Sequence, residues 1–149
     1  MRLALYQPDI APNAGAMLRL AACLGVAVDI IEPAGFVLTD PRLKRAGMDY
    51  IDAVEIFRHV SWDAFRAARS ERLVLLTTHG AAPLQEAAFE RDDVILVGSE
   101  SAGAPQAVHD AADLRVRIPM KPGMRSLNVA LAAALALGEA LRQTETWPR

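Results

Sequence analysis

A single cysteine, Cys23, is all the thiol this 149-residue chain contains. No internal disulfide can brace the fold, and that scarcity suits a reducing compartment. Cys23 falls within an apolar stretch of helical spacing, so a buried structural thiol is expected rather than a nucleophile. Histidine is nearly as scarce. His59, His79 and His109 are scattered without ligand spacing, which argues against a zinc site, and no metal is expected. An excess of one charge is missing too: 16 Lys and Arg face 18 Asp and Glu, a formal net charge of −2. Bulk charge therefore does not advertise nucleic-acid binding, and any such surface must be local. Long hydrophobic runs are lacking. The longest mostly apolar stretch, residues 127–141, is too short and too alanine-rich to span a bilayer. The first residues lack the long apolar region and cleavage site of a secretory signal. A cytoplasmic protein without a membrane partner is the expectation.

What is present is a chain of ordinary globular make-up, 52% hydrophobic and 23% charged, of a size that fits one domain over residues 1–149. Short apolar runs at 3–6, 26–31, 54–57, 73–77, 94–98 and 116–118 read as strands. Helical spacing and caps fall between them. Asn13 is placed to cap a helix that Gly25 ends; Asp40 with Pro41 opens a short helix closed by Gly47; Ser61 caps another to about Arg69. Residues 105–112 read as helical, Ser126 is placed as the cap of a last helix over 127–142, and residues 144–149 read as a frayed tail. Strands alternating with helices predict an α/β fold, a mostly parallel sheet covered by helices on both faces.

The last helix is apolar almost all round until Glu139. A surface helix shows one apolar stripe and one polar face, so this one needs partners on more than one side. Ala130, Ala134 and Gly138, spaced four apart, leave a shallow groove for close helix approach. A homodimer through this helix is the expectation, with a helix central to the monomer's own core as the other reading.

In parallel α/β sheets, ligands bind beyond the carboxyl ends of the strands. Three loops follow strand ends here: Thr77-Thr78-His79-Gly80, Gly98-Ser99-Glu100-Ser101-Ala102-Gly103, and Ile118-Pro119-Met120 continuing to Arg125-Ser126-Leu127-Asn128. Together they suit a small adenosine-like ligand held by backbone groups and apolar walls. No G-x-G-x-x-G follows the first strand, no Lys-Ser/Thr completes a P-loop, and there is no G-x-S-x-G elbow. Gly98, without a Cβ, would let a ligand approach the backbone closely. Arg42, Lys44 and Arg45 form the best local basic cluster, readable either as an RNA-binding patch or as the solvated face of a short helix.

Three of these segments occur in the order of a known set of motifs. Pro12-Asn13-Ala14-Gly15 followed by Arg19, then residues 98–105, then Ile118-Pro119-Met120 with Arg125-Ser126-Leu127-Asn128, resemble those of the SPOUT-class (SpoU-type) RNA 2′-O-methyltransferases. Ile31-Glu32-Pro33, Arg45-Ala46-Gly47-Met48-Asp49-Tyr50 and Leu76-Thr77-Thr78 are similar to the branch acting on the wobble nucleotide, cytidine or uridine 34, of tRNA. The resemblance spans almost the whole chain. It implies a C-terminal trefoil knot, which nothing in the pattern itself predicts, a homodimer, S-adenosyl-L-methionine as cofactor, and tRNA as partner.

The resemblance also implies site residues. Leu76, Thr77, Gly98, Glu100, Gly103, Ile118, Met120, Ser126 and Leu127 stand at cofactor-lining positions. Arg19, Glu100, Asn128 and Asn13 stand at catalytic ones. Guanidinium groups keep their proton throughout the physiological range, so Arg19 reads as a cation that holds a phosphate and stabilises a developing alkoxide rather than as a base. Methylation at another tRNA or rRNA position, and a non-catalytic RNA-binding adapter on the same fold, are the alternatives at this stage.

Overall fold

The computed structural model describes residues 1–79 and 82–149. Its elements are β1 (Arg2–Tyr6), α1 (Ala11–Leu24), β2 (Ala27–Ile31), α2 (Pro41–Gly47), a 3₁₀ turn (Met48–Ala53), β3 (Ile56–His59), α3 (Trp62–Ala68), β4 (Leu73–Leu76), β5 (Ala82–Pro83), a second 3₁₀ turn (Leu84–Glu86), β6 (Val94–Val97), α4 (Gln106–Ala111), β7 (Leu114–Arg117) and α5 (Val129–Thr144). The strands form one sheet in the order β3-β2-β1-β6-β4-β7-β5, and every pair is parallel.

Alternation along the central strands explains their continuous apolar character. Leu3 and Leu5 of β1, and Ile95 and Val97 of β6, join the core under α1 and α5. Ala4, Val94 and Leu96 point to the other face, where Phe65 of α3 and Val108 of α4 cover them. A sheet buried on both sides has no polar face to show.

Local chemistry accounts for several helix ends. The Asp40 carboxylate accepts from the Arg42 amide, with Pro41 in the first turn. Ser61 accepts from the Ala64 amide. Gly25 closes α1 in the left-handed conformation at φ 65°.

Several boundaries differ from the sequence reading. α1 starts at Ala11 with Ile10 before it, so Asn13 lies inside the first turn and does not cap. Asn128, not Ser126, caps α5, accepting from the Ala130 and Leu131 amides. At the end of α2 the positive φ belongs to Met48 (51°), while Gly47 stays in the helix. Gly47 is small because Ile51 packs where its Cβ would be, at 2.5 Å. β3 sits two residues later than expected and ends on His59, which hydrogen-bonds to Asp29. The two-residue β5 was not foreseen.

Cys23 is exposed. The buried positions of α1 run through Ala14, Met17, Leu18 and Ala21. Two residues beyond Ala21, Cys23 turns about 200° away from that stripe at 100° per residue. Thr144, read as the start of a tail, is the buried last residue of α5, and the Thr146 amide donates to the Leu141 carbonyl. Trp147 then lies over Gly138, its Cζ2 3.8 Å from where a Cβ would stand. The groove at Gly138 is thus covered by the chain's own C-terminal segment. The inner face of α5, including Ala133, Ala136, Leu137 and Ala140, is buried in the core, whereas Leu131 and Leu135 are 59% and 49% exposed.

Asp29 is the polar hub of the β1–β3 side. Fully buried, it accepts from Arg2 Nε at 2.6 Å and Arg69 Nε at 3.1 Å and lies 2.7 Å from His59 Nε2. Phe57 sits under both guanidiniums, 4.6 and 4.9 Å from ring centroid to Cζ. Burial alone would raise the Asp29 pKa, but hydrogen bonds from Arg2 and His59 and the charges of Arg2 and Arg69 hold it below its ordinary value.

A carboxylate with a lowered folded pKa adds stability above its unfolded pKa and loses it as pH falls through the folded value. Unfolding stability should therefore drop as pH falls through about 4 and below. Asp29→Asn should cost about 3–5 kcal/mol at neutral pH, since it strands two partly buried arginines, and should flatten that acid dependence. Denaturant midpoints between pH 7 and 3 check both. Gly15→Ala should destabilise by about 1–3 kcal/mol, because its Cβ would meet α2, with Ala46 Cβ only 2.8 Å away. Gly138→Ala should instead gain about 1 kcal/mol of helix propensity. Chemical denaturation of the two variants reads the contrast.

Candidate functional site

The carboxyl ends of β4, β6 and β7, three neighbouring strands, open into one cavity of about 520 Å³. Three separate stretches wall it. Leu76 ends β4 and Thr77, Thr78 and His79 follow it; Val97 ends β6 and Gly98 to Glu100 and Ala102 to Ala104 follow it; Val116 lies in β7 and Ile118 and Met120 follow it, and Ser126 to Asn128 lead into α5 at Val129. Gly80, named with the first of these loops, lies outside the described residues.

The middle stretch is a turn folded back on itself. The Ser99 and Gly103 backbones exchange hydrogen bonds of 3.1 and 2.8 Å, and Ser99 Oγ accepts from the Ala102 amide. A Cβ on Gly98 would stand 2.5 Å from the Gly103 carbonyl carbon and 2.7 Å from the Ala104 nitrogen. A side chain at Gly98 would therefore collide with the turn's own backbone, a constraint separate from the close ligand approach that the sequence suggested. Gly103 is required for its φ of 66°.

The turn is clasped to the loop after β1. The Asp9 amide donates to Glu100 Oε2, the Glu100 amide donates to Asp9 Oδ1, both at 3.1 Å, and the Ser101 hydroxyl donates to Asp9 Oδ2. Hydrogen bonding to Glu100 and Ser101 takes Asp9 down to about 2. Burial, and then the neighbouring Asp9, push Glu100 up. Glu100 Oε1 is buried with no hydrogen-bond partner among the described residues. A buried polar atom without a partner is uncommon in a folded protein, and this one belongs to a cavity-lining residue.

Two asparagines 115 positions apart close one side. Asn128 Nδ2 donates to Asn13 Oδ1 at 2.9 Å while its own Oδ1 caps α5, which fixes the amide in one orientation. Both line the cavity. Leu76, Thr77, Gly98, Glu100, Gly103, Ile118, Met120, Ser126 and Leu127 line it as well.

Arg19 does not line the cavity. It lies exposed on α1, its Nη1 3.0 Å from Met48 Sδ and its guanidinium 5.1 Å from the Tyr50 ring centroid. Arg42, Lys44 and Arg45 are exposed on α2, also outside the cavity wall. Arg42 forks onto Asp40, with hydrogen bonds of 2.9 and 3.2 Å, which offsets its charge locally. His109 of α4 lines the cavity, although its isolated place in the sequence gave no reason to nominate it. Its signal was positional: α4 follows directly on the glycine-bounded turn. Among the described residues no cluster of three or more His, Cys, Asp or Glu side chains could hold a metal ion, and no helix is long and apolar enough to cross a membrane.

Comparison with known proteins places this geometry in a family. The chain is 61% identical, over 95% of its length and 90% of the relative's, to the tRNA (cytidine(34)-2′-O)-methyltransferase of Beijerinckia indica. Its fold superposes with a TM-score of 0.91 on a structure solved for insight into 2-OH methylation of C/U34 on tRNA, at 44% identity, covering 95% of this chain and 94% of that one. An AdoMet-bound rRNA methyltransferase from Sinorhizobium meliloti superposes with a TM-score of 0.87 at 26% identity, over 95% of this chain and 55% of the other. With residues 1–138 matching the family's model as well, the chain belongs to the SpoU rRNA methylase family.

Proposed function

We propose that this chain is an S-adenosyl-L-methionine-dependent methyltransferase acting on the ribose 2′-oxygen of nucleotide 34, cytidine or uridine, of tRNA in the cytoplasm. The cavity beyond β4, β6 and β7 carries the reading. Its volume, about 520 Å³, falls within the range of roughly 300–1,000 Å³ usual for small-ligand sites. The choice of nucleotide 34 is supported by the identity to the Beijerinckia indica enzyme over nearly the whole chain.

The donor set fits an adenosine bearing a charged amino-acid tail. Leu76, Ile118, Met120 and Leu127 offer apolar walls to the base and exclude water. Thr77, Gly98, Gly103 and Ser126 offer backbone groups and a hydroxyl to its polar edges. Bound there, S-adenosylmethionine supplies an electrophilic methyl group. The protein's own task is to hold the ribose hydroxyl in line and to stabilise the oxygen as its proton leaves. The Asn13–Asn128 pair orients the ribose hydroxyl, and the unpartnered Glu100 Oε1 takes a hydrogen bond beside it. The threaded C-terminal knot of the SPOUT class is part of this reading. The joint use of the 98–103 turn and residues 126–128 in one wall supports it.

Arg19 is absent from the wall of its own cavity. Its guanidinium therefore meets the reacting ribose from a second copy, held ready by Met48 and Tyr50. A homodimer through α5 supplies that copy, with Leu131 and Leu135 as the apolar stripe needing cover.

Arg19→Ala should lower single-turnover methylation of tRNA by about 100-fold and leave S-adenosylmethionine affinity unchanged. Mixing it with Gly98→Val, which should lose the cavity wall, should restore part of the activity. Mixtures no more active than either variant would remove Arg19 from the partner's site. Leu131→Asp with Leu135→Asp should convert the protein to a monomer in sedimentation. A wild type that sediments as a monomer would exclude the dimer.

A further inference from the structure

Between the cavity-lining residues Met120 and Ser126, the chain leaves the wall, and residues 121–125 are all exposed. They form a tight turn. The Met124 amide donates to the Lys121 carbonyl at 3.2 Å, Pro122 occupies the second position, and Gly123 the third with φ 89°. That is the arrangement of a type II turn, in which proline presets one dihedral and glycine accepts the other. The excursion is stiff, and it brings residues 121 and 124 within about 7 Å of each other.

This turn carries two unpaired cations. Neither the Lys121 ammonium nor the Arg125 guanidinium has an ion-pair or hydrogen-bond partner among the described residues. Arg42, Arg58, Arg72 and Arg142 are instead paired with carboxylates. The local sequence reinforces the contrast. Residues 114–138 hold four cations and no acid, in a chain whose remaining residues carry 12 Lys and Arg against 18 Asp and Glu. Met124, at the end of the turn, is 65% exposed. An exposed methionine flanked by uncompensated cations at a cavity mouth has the chemistry of a lip for a polyanion that bears flat apolar rings.

We infer that the 121–125 turn seats the RNA strand at the cavity mouth, with Lys121 and Arg125 on the phosphates flanking the target nucleotide and Met124 against a base. The inference rests on the functional reading above and assigns part of its substrate grip. It adds Lys121 and Arg125, flanked on both sides by cavity-lining residues, to the patch of Arg42, Lys44 and Arg45, in which Asp40 offsets one charge.

The test measures tRNA binding to the full-length protein across a salt series, alongside calorimetric titration with S-adenosylmethionine. Lys121→Ala with Arg125→Ala should weaken tRNA binding at least about tenfold. The slope of log affinity against log salt should fall by roughly 1.4–1.8, at about 0.7–0.9 for each of the two phosphates no longer neutralised. S-adenosylmethionine affinity should stay the same, and Lys121→Arg should bind tRNA like wild type. Gly123→Val, which strains the turn and keeps both charges, should also weaken tRNA binding. Unchanged tRNA affinity and slope in the double variant, with wild type binding normally, would overturn the inference and leave the functional reading standing. Equal losses of tRNA and S-adenosylmethionine affinity would overturn it too, by making the turn a cavity wall. A wild type that neither binds nor methylates tRNA would overturn both.

Discussion

The cavity depends on one close approach of backbone to backbone. At Gly98 the chain leaves β6 and folds back so tightly that its own Gly103 and Ala104 occupy the space of a side chain. That approach sets the shape of the 98–103 turn, and the turn forms the middle wall of the cavity. The Asp9–Glu100–Ser101 clasp ties it to the loop after β1. That loop is in turn wedged against Gly35, where a Cβ would stand 2.8 Å from Asp9 Cα. Side-chain and backbone hydrogen bonds share the fastening, so the wall is held from outside the pocket. Glu100 Oε1 is left without a hydrogen-bond partner among the described residues.

Charge is used in two opposed ways. In β2 and just before β6, Asp29 and Asp93 are fully buried and each is met by arginine: Arg2 and Arg69 on the first, and Arg72, at 2.8 and 3.0 Å, on the second. These groups join strand ends to neighbouring segments, and removing one partner would leave a stranded charge. Around the cavity mouth the cations of the 121–125 turn have no such partners among the described residues. A near-neutral total thus conceals a segregated surface, which a bulk count cannot register.

The elements with strong local chemistry were legible before the fold was known. The apolar runs of β1, β4 and β6, the Asp40-Pro41 and Ser61 starts and the Gly25 stop all depend on interactions within a few residues. Where the structure departs from the sequence pattern, long-range or phase effects are the cause. Asn13 and Asn128 both have the chemistry of a helix cap, but α1 starts two residues before Asn13, which instead accepts from the Asn128 side-chain amide 115 residues away. Cys23 looked buried because its neighbours are apolar, yet helical phase turns it outward. β3 ended later than its apolar run because a buried carboxylate on β2 holds His59.

Sequence by itself determined the parallel α/β architecture, since alternating helix and strand periods with continuous apolar strands permit little else. It also determined which three segments would wall the cavity, through their position after strand ends and their motif order. Tertiary structure alone decided what those segments do to one another. It set the clasp at Asp9, the displacement of Arg19 from its own cavity, the covering of Gly138 by Trp147 and the cations left unpaired at the mouth. Each of these depends on distances between residues far apart in the chain, and a one-dimensional pattern carries periodicity and local bonding but not those distances.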